Sequence, residues 1–382
     1  MGKVALAVAV AVLGSCAPAA PKLVFSYSEI RGQLPKNGLR FIVMPDPTTQ
    51  LAEVDVRYEV GSREDPPGKA GLAHLVEHLM FQQRPGGPDA RPLAQVLPQL
   101  TLNMNAYTNW DTTHFMLNAR AGLLDTLLKI EAFRMRDGCR TISEYEFLRE
   151  REVVRNEIRR GGRSPDARIP ELTLAELYPP GHAYARSVGG DDEQLSTITL
   201  RDACEFMRQY YVPERAVVVV AGGFAADGAV HSIETWFNTL DKRTPAPRRA
   251  VAPLAATGGR KTVELDAERP WVTIAWPLPD ARTPEGRAAQ FGIWSAFLDA
   301  ARRTEEHDCA TQTVPMTLGG REAPVFLIAL ELGGMDKLDE CLEHVWKAAR
   351  DAGYGWDQGL RERLDDEKNR RKAAFLASLE PL

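Results

Sequence analysis

The chain has 382 residues, 44% of them apolar and 26% charged, which is length enough for two units with separate cores and a composition ordinary for a folded globular protein. Its net charge of −5, with Lys and Arg dispersed among acids, provides no electrostatic footprint for nucleic acid and argues against a nucleic-acid binder.

Lys3 precedes an apolar run over residues 4–13, which is shorter than the roughly 20 residues a bilayer-spanning helix needs. A basic start, a short apolar stretch and small residues before a break predict a signal peptide over residues 1–16. Its end, Leu13-Gly14-Ser15-Cys16, resembles a bacterial lipobox, in which the cysteine is lipidated after cleavage. That resemblance implies a lipid anchor at Cys16, a tether over residues 17–27, and export to the periplasmic side of a bacterial membrane as an outer-membrane lipoprotein.

Residues 38–44 read as a strand stopped by Pro45 and Pro47, and residues 52–60 alternate as a half-buried strand. A polar, Pro-containing loop over residues 61–68 leads to an apolar-periodic helix beginning near Gly71. Helical patterns follow at residues 91–97, 123–135 and 143–160. Ser143 with Glu146 three residues on is a capping-box signature, and Gly161-Gly162 is a stop. The valine run within residues 216–221 reads as a buried strand closed by Gly222-Gly223, and residues 231–240 as a helix. Residues 244–259, rich in Pro, Ala and Gly without periodicity, read as a linker. Beyond it come strand-like segments at 262–265 and 271–276, a helix near 287–302, a strand at 325–332 and helices at 337–350 and 359–377. This order echoes the first half and predicts a structural repeat whose second member is short or truncated. The expected fold is α+β: a mostly antiparallel sheet with helices on one side over residues 28–243, then a related, incomplete unit over residues 260–382.

Cys139, Cys204, Cys309 and Cys341 match neither a C-x-x-C metal site nor a dense disulfide framework. They read as buried or free thiols; export would allow oxidation, but their spacing specifies no pairing.

Chemistry concentrates in His74-Leu75-Val76-Glu77-His78, an H-x-x-E-H pattern. On a helix, positions i and i+4 share a face, so both imidazoles present two corners of a tetrahedral zinc site. Glu77 lies between them, within reach of a zinc-bound water but poorly placed as a third ligand. Zinc brings that water's pKa to about 7, and a neighbouring carboxylate can take its proton during attack on a carbonyl. A third ligand has to come from elsewhere, and Glu150 and Glu157, two turns apart on the 143–160 helix, look the same way. Either can ligate while the other supports a ligand by hydrogen bonding. Taken alone, an acidic, Arg-rich helix would be a solvated face.

Together these features resemble the pitrilysin-like inverzincin peptidases, specifically the shorter branch that includes the mitochondrial processing peptidases and bacterial relatives. Asn37-Gly38-Leu39, Gly61-Ser62-Arg63-Glu64, residues 71–81, Asn105-Ala106-Tyr107-Thr108, residues 150–157, His182-Ala183-Tyr184 and Tyr211-Val212-Pro213 carry the resemblance by their order and spacing. It implies zinc ligation by His74, His78 and Glu157, one ion per catalytic domain, with Glu77 as general base and Glu150 as a supporting acid. It implies that Asn105, Ala106, Tyr107 and Thr108 lie on a strand edge that pairs with extended peptide; a turn-forming amide is the plainer reading of Asn105. His114, His182, His231, His307 and His344 read as structural or exposed.

The activity so implied is zinc-dependent hydrolysis of extended peptides or unfolded segments. The alternative is a zinc-binding but idle subunit that supports a peptidase partner, although idle members of the family typically lose part of the metal motif, which is complete here. Family members enclose substrate between paired units, which implies a homodimer or a heterodimer with a related inactive subunit.

Overall fold

The computed structural model describes residues 28–161, 165–254, 259–264, 267–287, 289–290, 293–294 and 309–354, without side chains at 165–167 and 348–354. Its fold is α+β. The first sheet comprises β1 (Ile30–Gln33), β2 (Arg40–Pro45), β3 (Leu51–Tyr58), β4 (Asn103–Thr108), β5 (Thr113–Arg120) and β6 (Ala216–Gly222), in the order β1-β2-β6-β3-β5-β4. Every neighbouring pair is antiparallel except β2 with β6. Strand alternation explains which face is buried. Phe41 and Val43, Val54 and Val56, Phe115 and Leu117, and Val218 and Val220 all point into one apolar layer. The valine run of β6 is thus buried on alternate residues and half-covered on the others, not enclosed on both faces.

Helices α1 (Leu72–Met80), α2 (Leu93–Leu100), α3 (Leu124–Asp137), α4 (Glu144–Gly161), α5 (Pro165–Leu177), α6 (Asp192–Ser196), α7 (Leu200–Tyr210) and α8 (Ala226–Phe237) complete the first unit. Leu72, Leu75, Val76 and Leu79 of α1, Leu127 and Leu128 of α3 and Ile233 of α8 join the sheet's apolar layer in one core. Helix α4 starts as its sequence predicts. The Ser143 backbone N–H donates to Glu146 Oε2 at 2.9 Å and the Glu146 N–H donates back to Ser143 Oγ at 3.3 Å.

After residue 244 the chain forms β7 (Trp271–Pro277), β8 (Ala310–Leu318) and β9 (Val325–Leu332), antiparallel in the order β7-β9-β8. This reproduces β3-β5-β4. The correspondence extends further: β5 runs through a 3₁₀ turn (Ala121–Leu123) into α3, and β9 runs through another (Met335–Lys337) into the helix Leu338–Tyr354. The repeat expected from the order of elements is therefore present in the backbone.

Several expectations change. The four cysteines are not thiols: Cys139 pairs with Cys204 and Cys309 with Cys341, with Cα separations of 5.2 and 5.4 Å. Each bond joins segments that only tertiary packing brings together, which is why spacing gave no hint. The supposed polar loop at residues 61–68 holds a buried 3₁₀ turn (Ser62–Glu64), where Arg63 and Glu64 form an enclosed ion pair at 3.3 Å and Asp65 is buried beside them. Residues 262–264 form no strand. The signal peptide, Cys16, the tether, most of the 287–302 helix and the 359–377 helix lie outside the described residues.

Candidate metal centre

Helix α1 begins at a point where two chain segments almost touch. Gly71 has φ +93°, and a Cβ there would sit 2.6 Å from the Gly189 carbonyl oxygen, so the position requires glycine. The buried Asp65 carboxylate accepts the Gly71 N–H at 2.7 Å and the Ala73 N–H at 2.8 Å, satisfying two otherwise orphaned donors of the first turn. Burial pushes this carboxyl up to about 7 against those two bonds. The start and axis of the helix bearing His74, Glu77 and His78 are thereby set from outside the helix.

Helix α4 packs across α1, burying Phe147 and Val154. Glu150 and Glu157 are carried on the side facing the two histidines. His74 Nε2 lies 3.9 Å and His78 Nε2 3.5 Å from Glu157 Oε2, and one ligand atom from each of the three residues lies within 4.8 Å of the others. A tetrahedral zinc ion with bonds of about 2.0–2.1 Å holds neighbouring ligand atoms roughly 3.3 Å apart, so the two contacts to Glu157 lie within about 0.6 Å of that spacing and the three side chains would close in modestly around an ion. Among the described residues it is the one group of three or more His, Cys, Asp or Glu side chains so arranged.

The electrostatics suit neutral imidazole ligands at one position and a supported ligand at the other. Burial, with the neighbouring His78, drives His74 down to about 4. At His78 burial also opposes a cation, but the contact to Glu150 and the charges of Glu157 and Glu77 carry it above the usual histidine value. Its Nδ1 lies 3.5 Å from Glu150 Oε2, the carboxylate–histidine arrangement that orients a metal ligand. Burial works to raise Glu150, yet the bonds from His78 and Arg149 hold it below the ordinary glutamate range. Burial raises Glu77, opposed by a hydrogen bond from Thr108 and by His78. Glu77 is thus a dehydrated carboxylate between the two histidines, with Oε2 accepting the Thr108 hydroxyl at 2.6 Å.

The structure brings His74, His78 and Glu157 together, with Glu150 beside His78 Nδ1. Strand β4, bearing Asn105 to Thr108, is the edge of its sheet beside α1. Its residues alternate between two faces. Thr108 meets Glu77, whereas Tyr107 stacks on His114 with ring centroids 4.5 Å apart, and His114 Nδ1 lies 3.2 Å from Asp55. The Asn105 side chain is exposed and accepts the Ala106 N–H at 2.9 Å. Sequence reasoning missed Asp65, which holds α1, and Thr113 and Tyr211, which stand behind Thr108. Tyr211 contributed to the resemblance only through Tyr211-Val212-Pro213.

Two imidazoles and one carboxylate converging from two helices are a donor set suited to zinc. Residues 40–188 match the family model described as Insulinase (Peptidase family M16), and residues 197–292 match that of the Peptidase M16 inactive domain. The chain belongs to peptidase family M16. It is 32% identical over 220 residues to a zinc protease, PqqE, of Helicobacter pylori, covering 56% of this chain and 48% of that protein. It is 23% identical over 370 residues to the Schizosaccharomyces pombe protein named probable mitochondrial-processing peptidase subunit beta, covering 90% of this chain and 78% of that one. The chain thus spans about half the length of the bacterial relative and more of the yeast one. In fold it resembles a protease from Helicobacter pylori (TM-score 0.79, 22% identity, 94% of this chain and 87% of that one). It also resembles pitrilysin (TM-score 0.69, 17% identity, 88% of this chain and 37% of that one). The inactive-domain match begins before β6, yet β6 lies between β2 and β3 and is integral to the first sheet.

Proposed function

We propose that the chain is a zinc endopeptidase that hydrolyses peptide bonds in extended or unfolded polypeptide. The observation that carries this reading is the convergence of His74, His78 and Glu157 to within 4.8 Å, with the buried Glu77 carboxylate between the histidines. Those three side chains would hold one zinc ion, and a bound zinc supplies a Lewis acid and a water acidic enough to ionise near neutral pH. The protein's own groups do the rest. Glu150 holds the His78 ring by its Nδ1 side. Glu77 is the general base, taking a proton from the attacking water and returning it to the departing amine. The outer edge of β4 at Asn105, Ala106 and Tyr107 would pair with an extended substrate once the Ala106 N–H leaves the Asn105 side chain that now accepts it, which gives affinity with little demand on sequence.

We take residues 28–243 as the catalytic unit, 244–259 as the linker and 260–382 as the related second unit. A second copy of the chain or a related inactive subunit would complete the enclosure around substrate. Export and acylation at Cys16 complete the proposal, and two disulfides support an oxidising compartment.

The test is hydrolysis of fluorescently labelled casein by the mature protein with its metal content measured. Chelator-sensitive hydrolysis restored by zinc supports the reading; stoichiometric zinc without hydrolysis, even with a related subunit added, moves the chain to the idle-subunit alternative.

A further inference from the structure

Behind Glu77 stands a line of hydroxyl groups drawn from three separate elements. Thr108, the last residue of β4, donates to Glu77 Oε2 at 2.6 Å. Directly opposite it in the β4–β5 register is Thr113, the first residue of β5, with the two Oγ1 atoms 3.3 Å apart. The Thr113 hydroxyl donates to the Val60 carbonyl at 3.0 Å, and the Tyr211 hydroxyl, just past α7, donates to Thr113 Oγ1 at 3.2 Å. Thr113 and Tyr211 are buried at 0% and 2% exposure, so water does not rearrange this line.

The direction of each bond follows from the donor inventory. A hydroxyl has one hydrogen and two lone pairs. A backbone carbonyl only accepts, so the Thr113 hydrogen is committed to Val60. Tyr211 reaches Thr113 as a donor, and burial keeps its phenol protonated. Thr113 therefore presents its remaining lone pair toward Thr108 and cannot donate to it. The Thr108 oxygen is left with its single hydrogen directed at Glu77.

We propose that Thr108 is a positioning residue for the general base: its hydroxyl, oriented by the Val60–Thr113–Tyr211 line, pins one Glu77 carboxylate oxygen and leaves the other for the attacking water. This rests on the peptidase reading above and assigns Thr108 a task distinct from pairing with substrate. When Glu77 has taken the proton on its free oxygen, Oε2 still accepts the Thr108 hydroxyl, so the carboxyl keeps its orientation until the proton passes to the departing amine.

The experiment compares wild type with Thr108→Val, Thr108→Ser and Tyr211→Phe as full zinc-loaded chains cleaving fluorescently labelled casein. Zinc content and circular dichroism are recorded for each. A hydrogen bond to a charged group supports a loss of about 10- to 100-fold in kcat for Thr108→Val, with KM within about twofold and zinc retained. Thr108→Ser, which keeps the hydroxyl, should stay within about threefold of wild type, and Tyr211→Phe should fall by about two- to fivefold. Unchanged kcat in Thr108→Val, or an equal loss in Thr108→Ser, overturns the proposal, and unchanged kcat in Tyr211→Phe removes the phenol from the line. If the wild type cleaves nothing, the peptidase reading fails separately. Crystal structures of zinc-loaded wild type and Thr108→Val then decide: a turned Glu77 carboxylate supports the positioning role, and an unmoved one refutes it.

Discussion

Replacing Glu150 tests whether a carboxylate behind the His78 imidazole supports the proposed metal ligand. Its Oε2 lies 3.5 Å from His78 Nδ1, longer than the roughly 2.7–2.9 Å of a strong charge-assisted bond. Losses from such supporting groups run from about 10- to 100-fold in metal affinity, and the long contact places Glu150→Ala near the lower end, at about tenfold or ~1.4 kcal/mol. Glu150 also accepts two bonds from Arg149 at 3.1 and 2.8 Å, but Arg149 is 46% exposed and is re-solvated without a buried-charge penalty. Glu150→Gln keeps an acceptor and loses only charge, so about threefold is expected. Glu157→Ala, which removes a proposed ligand, should exceed about 100-fold. Competition titration with a chromophoric zinc chelator, on protein checked for native circular dichroism, gives all three values. A zinc Kd within about twofold of wild type for Glu150→Ala would refute the supporting role. Losses equal to those of Glu157→Ala would make Glu150 a ligand.

Two further predictions concern the framework. The Asp65 carboxyl is raised by burial to about 7, above the roughly 3.9 of an unfolded aspartate, so the folded protein holds that proton more tightly than the unfolded chain does. Its contribution to stability is complete below about pH 4 and is lost as pH rises through about 7. Denaturant melts should show wild type losing on the order of 2–4 kcal/mol relative to Asp65→Asn over that window, and parallel pH profiles would contradict it. The Cys139–Cys204 bond closes a 65-residue span. Cys139→Ser with Cys204→Ser should therefore lower stability by about 4 kcal/mol in thermal or denaturant melts, and melts insensitive to reductant would show that the bond does not constrain the unfolded chain.

What the sequence made legible was what repeats at short range. His74 and His78 were readable because one helical turn puts them on one face, and Glu150 and Glu157 because two turns do the same. The Ser143–Glu146 box marked a helix start to within a residue. Other elements carry weaker signals. Strand β5 passed unnoticed because Thr113 and His114 begin it with polar side chains, although its Phe115, Leu117 and Ala119 face the core. Helix α7 opens with a second capping box, Thr199 with Asp202, which was legible and overlooked. Asp65 could not be read at all. Its role depends on a buried turn folding back onto the start of α1, where Gly71 also packs closely against Gly189. The same holds for Thr113 and Tyr211, nearly a hundred residues apart in the chain, and for both disulfides.

The measurement closest to the central claim is Glu77→Gln in the intact, zinc-loaded chain. Gln keeps an acceptor for the Thr108 hydroxyl and nearly the same shape, but cannot take a proton. The account predicts one zinc per chain in both proteins, with casein hydrolysis reduced by about 10²- to 10⁴-fold in the variant. Undiminished hydrolysis with zinc bound would contradict the assignment of Glu77 as the base.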